Sequence, residues 1–382
     1  MEDVAIIGIA QHPFGRFGDK SALDMGLESV REALQDAGIE WKDVQYAAGG
    51  TRDGGRPDQL CGKLGPIGVP FNNVYNGCAT GGSSLGACCM AIKSGMADIA
   101  LAVGFDKHPR GMFLTTVKDY GLGQWYQDVG FLATVQFFAM KAQRYMHDYD
   151  ITEDALIRVA EKNYFNGTLN PKAWRRDGLK YDEIAHSKML SNPLRQYTLC
   201  SPGEGAAAIV LCKSSIAHRY TTNPIYIKGI ALRTRAFGSL EVFTPAKPLD
   251  DTAPTPVQMA SQAAYKMAGI GPDEIEVAQL QDTESAHEIM HMAETGLCKD
   301  GEQTKMIQDG ETKITGRLPI NTDGGLIANG EPIGASALRQ IYEVCLQMRG
   351  AAGAHQMPKA PKTALTQVYG APGISNVVIL AR

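Results

Sequence analysis

Apolar and polar positions follow two alternating rhythms along this chain. Near the start, "VAIIGIA" (4–10) is a continuous apolar run. It leads into "LDMGLESVREALQDAGI" (23–39), whose apolar residues recur every three or four positions, and then into "EWKDVQYAAGG" (40–50). The same succession returns as "IYIKGIAL" (225–232), "TPVQMASQAAYKMAGI" (255–270) and "GPDEIEVAQLQD" (271–282). Continuous apolar runs bounded by turn signals predict strands covered on both faces, and the three-to-four spacing predicts helices with one buried stripe. Both predicted helices end in Ala-Gly-Ile, where glycine suits a left-handed C-terminal residue. The repeat extends further. "NVYNGCATGGSSLGACCMAIKSG" (73–95) has a counterpart in "LPINTDGGLIANGEPIGASALRQIYEVC" (318–345), and "GAAAIVLCK" (205–213) has one in "NVVILAR" (376–382).

Alternating strands and helices predict an α/β fold, here of two similar halves packed about a pseudo-twofold axis. Between about 110 and 200 the rhythm changes to amphipathic helices and long loops, as in "FFAMKAQRYMHDY" and "TEDALIRVAEKNYFN". The expected organisation is a first half at 1–110 and 201–220, an inserted helical and loop segment at 111–200 that covers the active site, and a second half at 221–382.

The chemistry concentrates in "NGCATGGSS". Cys78 falls between a predicted strand and a predicted helix, where free N–H groups and the helix dipole favour a thiolate and glycines permit close backbone approach. Cys88, Cys89, Cys212 and Cys345 lie inside apolar helix or strand patterns and read as small core residues. The eight cysteines show no CxxC pair or Cys/His cluster, so no bound metal is expected.

Composition narrows the remaining classes. The net charge of -4, without a dense basic run, speaks against a nucleic-acid or anionic-membrane partner. No apolar run approaches the roughly 18 residues of a membrane span. The acidic opening "MED" and an apolar run of only about seven residues read as a first strand, not a secretory signal, so a cytoplasmic protein with reduced thiols is expected.

The duplicated halves, the "NGCATGGSSL" turn and "GFDKHPRGMF" resemble the thiolase superfamily. "RYMHDYDITEDALIRVAEKNYFNGTLNP", "NPLRQYTLCSPGEGAAAIVL" and "LPINTDGGLIANGEPIGASAL" are similar to its sterol-carrier-protein-linked (lipid-transfer) branch. This resemblance, over nearly the whole chain, implies a duplicated five-layer αβαβα fold with an inserted helical and loop domain. It also implies a homodimer with "FNNVYN" at the interface. The implied activity is a thiolase, with acyl-CoA and coenzyme A as substrates and no bound cofactor. Cys78 would attack the keto carbon of a β-ketoacyl-CoA, and coenzyme A would take the acyl group from the acyl-enzyme. Some members of the branch work with a small zinc-binding OB-fold subunit, so such a partner is expected here.

The three loops that complete a thiolase site depart from the family pattern. Gln281 stands where the branch has His, in "QDTE"; Glu331 stands for the His of Gly-His-Pro; and Val368 stands where Cys or Asn is usual, in "QVYG". Either the chain has lost catalysis or the site is repurposed, and the replacements favour the second reading. Glu331 can serve as a base if burial raises its pKa. Gln281 can donate to an oxyanion without titrating. Tyr369 reads either as a donor of its phenolic proton or as a ring packed beneath the last loop, and Glu284 adds a second carboxylate nearby. An altered pocket suits a branched, aromatic or carboxylated acyl chain, with benzoylsuccinyl-CoA as one candidate. The alternatives are a retro-aldolase of the steroid side-chain type and a catalytically silent acyl-CoA-binding subunit, and the retained Cys78 argues against both. "HEIMH" (287–291) matches the HExxH pattern of zinc proteases. With no third ligand in view, His287 and His291 read as surface or core-edge residues.

Overall fold

The computed structural model describes residues 3–113, 115–244, 249–250 and 252–382. Nine strands form the main sheet: β1 (Val4–Gln11), β2 (Tyr46–Gly50), β3 (Phe71–Val74), β4 (Ile99–Lys107), β5 (Glu204–Lys213), β6 (Ile225–Thr234), β7 (Val277–Leu280), β8 (Thr363–Gly370) and β9 (Ile374–Ala381). The helices that matter below are α1 (Ala22–Ala37), α2 (Thr80–Lys93), α3 (Thr134–Tyr149), α4 (Glu153–Leu169), α5 (Pro256–Ala268), α6 (Ser285–Glu294), α7 (Gly325–Asn329) and α8 (Ser336–Arg349).

The duplication predicted from the sequence is present in the strand order. The sheet runs β3-β2-β4-β5-β1-β6-β9-β8-β7. Read outward from its middle, each half gives the same series, with β1, β5, β4 and β2 answered by β6, β9, β8 and β7. The halves meet where Val4–Ile6 pairs antiparallel with Ile225–Ile227. The counterpart of β3 has shrunk to a single bridge between Ala278 and Ile320. α1 and α5 also match. Each starts with a capping box, in which the Ser21 hydroxyl accepts from Asp24 N and the Thr255 hydroxyl from Gln258 N. Each ends on a left-handed glycine, Gly38 (φ 67°) or Gly269 (φ 65°).

Five layers follow from which faces are buried. α1 packs Met25, Val30 and Leu34 on one face of the first half-sheet, against Ile7, Leu101 and Val210. The opposite face, with Ile6 and Ile209, meets α2 through Leu85 and Ile92. α8 lies in the same middle layer, and its Leu338, Ile341 and Val344 share a core with Val277 and Val378 of the second half-sheet. α5 closes the far side over Leu365 and Ile379. The covered sheet therefore needs apolar residues at successive positions, and β1 is buried along its whole length. The buried Cys88, Cys89, Cys212 and Cys345 are core residues, as their patterns indicated.

The segment between β4 and β5 adds α3, α4 and a small hairpin of Met189–Ser191 with Leu194–Arg195. Its Tyr126, Phe137, Phe138 and Leu156 share a core with Ile289 of α6 and Tyr369 of β8. The insertion thus roofs the ends of the second-half elements that carry Gln281 and Tyr369.

Candidate active site

Cys78 sits in the turn between β3 and α2. The turn is tight because Gly77 has φ 55° and a side chain there would stand 2.5 Å from the Ala371 carbonyl oxygen. Asn76 N donates to the Thr80 hydroxyl (2.9 Å) and Thr80 N to Gly77 O (3.0 Å), which fixes the thiol just before the first helical turn.

Glu331 follows α7, and its backbone is held from both sides. Glu331 N donates to Ser201 O (2.8 Å) and Gly203 N to Glu331 O (3.2 Å). Ile333 N donates to His108 Nε2 (3.0 Å) and Gly334 N to Asp106 Oδ2 (2.7 Å). Gly330 adopts φ 77°, and a side chain there would come within 2.8 Å of the Trp174 ring, so glycine is required before the carboxylate. α7 itself is anchored by Asp282, which accepts from Leu326 N (2.6 Å), Ile327 N (3.1 Å) and Asn163 Nδ2 (2.9 Å).

These supports bring the predicted residues together. Glu331 is fully buried and stands next to the Cys78 thiol. Gln281 Nε2 donates to Glu331 Oε1 (3.1 Å) and also reaches Cys78. Gln281 is itself locked, since its N donates to Gln367 Oε1 (3.1 Å) and its Oε1 accepts from Tyr369 N. Burial drives the Glu331 pKa above the ordinary carboxylate range, with the contacts to Cys78 and His108 opposing it. Burial also pushes the Cys78 thiol well up, and the neighbouring Glu331 carboxylate adds repulsion. The helix dipole expected to favour a thiolate is outweighed, so Cys78 rests as a thiol beside a buried carboxyl group. In the third loop, Val368 is a core side chain packed with Ala79 and Ile374.

Other candidates sit differently. The Tyr369 ring lines the pocket, but its hydroxyl donates to Glu241 Oε2 (2.5 Å), which Lys141 Nζ also approaches at 3.4 Å. Glu284 is buried and caps α6, accepting from Ala286 N (2.6 Å) and His287 N (3.1 Å). Its second oxygen contacts the His287 ring. His287 and His291 are buried, so of the surface and core-edge readings the surface one does not hold. His291 Nδ1 is paired with Glu294 (2.7 Å), so each ring nitrogen Nδ1 of the HExxH match faces a carboxylate of its own helix start or end. Among the described residues, no group of three or more His, Cys, Asp or Glu is arranged to hold a metal ion.

The sequence reading missed two neighbours of Glu331. His108, in the quoted "GFDKHPRGMF", donates or shares a proton with Asp53 Oδ2 through Nδ1 (2.6 Å) and accepts from Ile333 N through Nε2. Cys200 donates to Glu331 Oε2 (3.7 Å). Neither carries a local signal, because each reaches the site from a distant loop.

The pocket above Cys78 and Glu331 has a cavity volume of about 60 Å³, smaller than the roughly 300–1,000 Å³ usual for small-molecule sites. Tyr75, Phe113, Tyr120, Phe138, Phe243 and Tyr369 give it aromatic walls, and Arg52 lies among them, its guanidinium 5.1 Å from the Phe113 ring centre.

Residues 4–215, more than half of the chain, match the family described as "Thiolase, N-terminal domain". This chain belongs to the thiolase family. Residues 246–382 match "Thiolase C-terminal domain-like". The chain is 32% identical, over the whole of both proteins, to an acetyl-CoA acetyltransferase of Methanothermobacter thermautotrophicus. It is 29% identical to sterol carrier protein 2 of Gallus gallus, over 99% of this chain and 71% of that protein. It is 27% identical to benzoylsuccinyl-CoA thiolase subunit BbsB of Thauera aromatica, over 96% of this chain and 94% of that subunit. Among solved structures it resembles the Ltp2-ChsH2(DUF35) aldolase, with a TM-score of 0.87 and 26% identity, over 99% of this chain and 97% of that one. The branch recognised in the sequence is therefore shown, and the thiolase fold with it. No helix among the described residues is long and apolar enough to cross a membrane.

Proposed function

We propose that this thiolase-family protein is an acyl-CoA C-acyltransferase that cleaves a β-ketoacyl-CoA through an acyl group carried on Cys78 and passes that group to coenzyme A. The observation that carries this reading is the placement of Cys78 next to the buried Glu331, both of them lining the pocket. A buried thiol is a poor nucleophile until its proton is taken, and a carboxylate with a raised pKa takes it as the sulfur attacks. The attack then creates no lone buried thiolate beside an anion. Gln281, fixed by Gln367 and Tyr369, donates to Glu331 Oε1 (3.1 Å) and Thr283 Oγ1 (3.2 Å), and its amide stabilises developing negative charge by turning one of these N–H groups to the substrate. Tyr369 holds the pocket wall and Gln281, and any part of its hydroxyl in proton transfer runs through Glu241.

The aromatic walls favour an aromatic or branched acyl chain over a short linear one. Arg52 offers a cation to a substrate carboxylate. Together with the likeness to the benzoylsuccinyl-CoA thiolase subunit, they make benzoylsuccinyl-CoA a candidate substrate. A small zinc-binding OB-fold partner subunit is proposed as well, supported by one relative that is a subunit and one solved relative that is a complex. A cytoplasmic setting fits eight unpaired cysteines.

The test is the intact mass of the chain after mixing with benzoyl-CoA, succinyl-CoA or acetyl-CoA, alongside Cys78→Ala. A mass gain of one acyl group in the parent and none in the variant is expected. No acyl adduct from any of the three would overturn the reading. Retro-aldol cleavage of a β-hydroxyacyl-CoA is the second reading, favoured by the likeness to an aldolase complex. It requires turnover that survives Cys78→Ala.

A further inference from the structure

His108 stands between two cavities. It does not line the pocket above Cys78, although Phe113 and Ile333, which it touches, both do. On its other side it lines an outer groove together with Asp53 and Lys107. The His108 side chain is fully buried, while Asp53, at the groove, keeps 36% of its side-chain surface exposed.

The two ring nitrogens have different partners. Ile333 N donates to Nε2 (3.0 Å), so Nε2 presents a lone pair and the ring proton sits on Nδ1. Nδ1 donates that proton to Asp53 Oδ2 (2.6 Å). Asp53 thereby fixes the tautomer that Ile333 requires. A proton moved to Nε2 would have to look to Asp106 Oδ2, which is 3.6 Å away and already accepts from Gly334 N (2.7 Å) and Arg52 N (3.1 Å). Asp106 also accepts from Thr51 Oγ1 (2.6 Å) and Asp53 N (2.7 Å), so the turn that presents Asp53 is itself braced.

Ile333 is two residues beyond Glu331. The loop is pinned to Ser201 and Gly203 at Glu331, and to His108 and Asp106 at Ile333 and Gly334. Between the pins lies Pro332, which has no N–H to add a bond of its own.

We propose that His108, oriented by Asp53, is a positioning residue for Glu331: it fastens the loop that aims the carboxyl group at Cys78. The proposal rests on the transferase reading above, in which Glu331 is the base. A base must stand within hydrogen-bond reach of the proton it takes, and a misplacement of about 1 Å can slow a reaction about 10²-fold. No proton of the reaction passes through His108, because its Nε2 lone pair is taken by the amide and its Nδ1 proton by Asp53.

The experiment keeps one half of the ring's hydrogen bonding at a time. An Asn side chain reaches about as far as Nδ1, and a Gln side chain about as far as Nε2. His108→Asn retains a donor for Asp53 and leaves Ile333 N without its acceptor. His108→Gln restores an acceptor for Ile333 N. Both lose the ring's edge contact with Phe113. Acylation of Cys78 by acetyl-CoA or benzoyl-CoA is followed by intact mass across a range of acyl-CoA concentrations. In His108→Asn the maximal rate should fall about 10²-fold, with the half-saturating concentration within about threefold of the parent, and His108→Gln should regain the parent rate to within about threefold. Hydrogen exchange at the Ile333 amide should quicken at least about tenfold in His108→Asn and stay slow in His108→Gln. Added to Glu331→Gln, His108→Asn should slow acylation no more than about twofold further, since no base is left to misplace.

Acylation at the parent rate in folded His108→Asn overturns the proposal. So does a His108→Gln as slow as His108→Asn, or an undiminished loss in the Glu331→Gln background, either of which would make packing the cause. If His108→Asn does not fold, Asp53→Leu carries the test from the half-exposed end: a fall of about tenfold in the maximal rate is expected, as for other partners that fix a histidine tautomer, and the parent rate overturns the proposal. A parent chain whose Ile333 amide is protected but which takes no acyl group on Cys78 overturns the transferase reading itself, and the proposal with it.

Discussion

At the scale of single residues, the proposed base Glu331 is a buried carboxyl at a position where the resemblance implies an imidazole, and burial suits it to that role. Only the ionised form of Glu331 can accept the Cys78 proton. Its pKa is raised by burial, so the parent rate should climb with pH through a value above the ordinary carboxylate range. Glu331→Gln should lower the cleavage rate by about 10²–10⁴-fold and abolish that acidic limb. Equal activity of the two proteins from pH 6 to 9 would place the base elsewhere. The same shift has a stability consequence. A carboxyl whose folded-state pKa is raised contributes stability below its unfolded pKa and loses it as pH rises through the folded value. Glu331→Gln should therefore melt at least about 2 °C above the parent at pH 8, and with it at pH 4, measured by calorimetry. Glu331 was legible in the sequence because Gly330 and Pro332 kept the loop around it. Cys200 was not, because 131 positions separate it from Glu331 and only the folded loops bring them together. The bond of the Tyr369 hydroxyl to Glu241 was illegible for the same reason, since 128 positions separate the two residues.

At the scale of elements, the five-residue helix α7 does more for the site than its length suggests. It carries the chain from the second-half turn to Glu331, and Asp282 holds its first N–H groups. Asp282 is next to Gln281, so one short segment, residues 281–282, sets both the donor to Glu331 and the anchor of the helix that delivers Glu331. Asp282→Ala would leave two buried N–H groups without their acceptor and the Asn163 amide with Glu288 Oε2 alone. At about 1–3 kcal/mol for each unmet buried group, a loss of several kcal/mol is expected in denaturant unfolding. Where the variant still folds, kcat should fall more than KM rises, because the damage is to the position of Glu331. Asp282→Asn, which keeps one acceptor oxygen, should be milder on both counts. The long elements were readable in advance: α1 and α5 announced themselves by apolar spacing, Ser21 and Thr255 at their starts, and Gly38 and Gly269 at their ends. α7 has too few residues for a periodic signal. The burial of His287 and His291 could not be read either, since helix α6 is enclosed by α3 and β8, elements far from it in the chain.

At the scale of the whole molecule, duplication leaves an asymmetry that points to how two copies would meet. In the second half the outer strand has dwindled to the Ile320 bridge, so that edge is short. In the first half β3 is a full strand at the end of the sheet, paired only with β2, and its Asn72 and Asn73 are exposed. An unpaired edge strand invites another strand, and proteins that avoid such pairing blunt the edge with charge or proline. Here the edge carries neither. It also leads directly into Cys78, so a neighbour across β3 would brace the nucleophile's turn. We therefore expect a homodimer joined through β3 about a twofold axis, which places each strand beside its own copy. Sedimentation at micromolar concentration should give twice the chain mass of 41.1 kDa. Asn73→Lys tests the route. Asn73 now donates to Asp58 Oδ1 (2.8 Å), and a lysine there keeps a partner for that carboxylate while setting two like charges against each other across the axis. The variant should keep a cooperative melting transition, sediment toward monomer, and lose rate as the turn that holds Cys78 loses its neighbour. A parent that sediments as a monomer, or a variant that remains as fully dimeric as the parent, would put the contact somewhere other than β3.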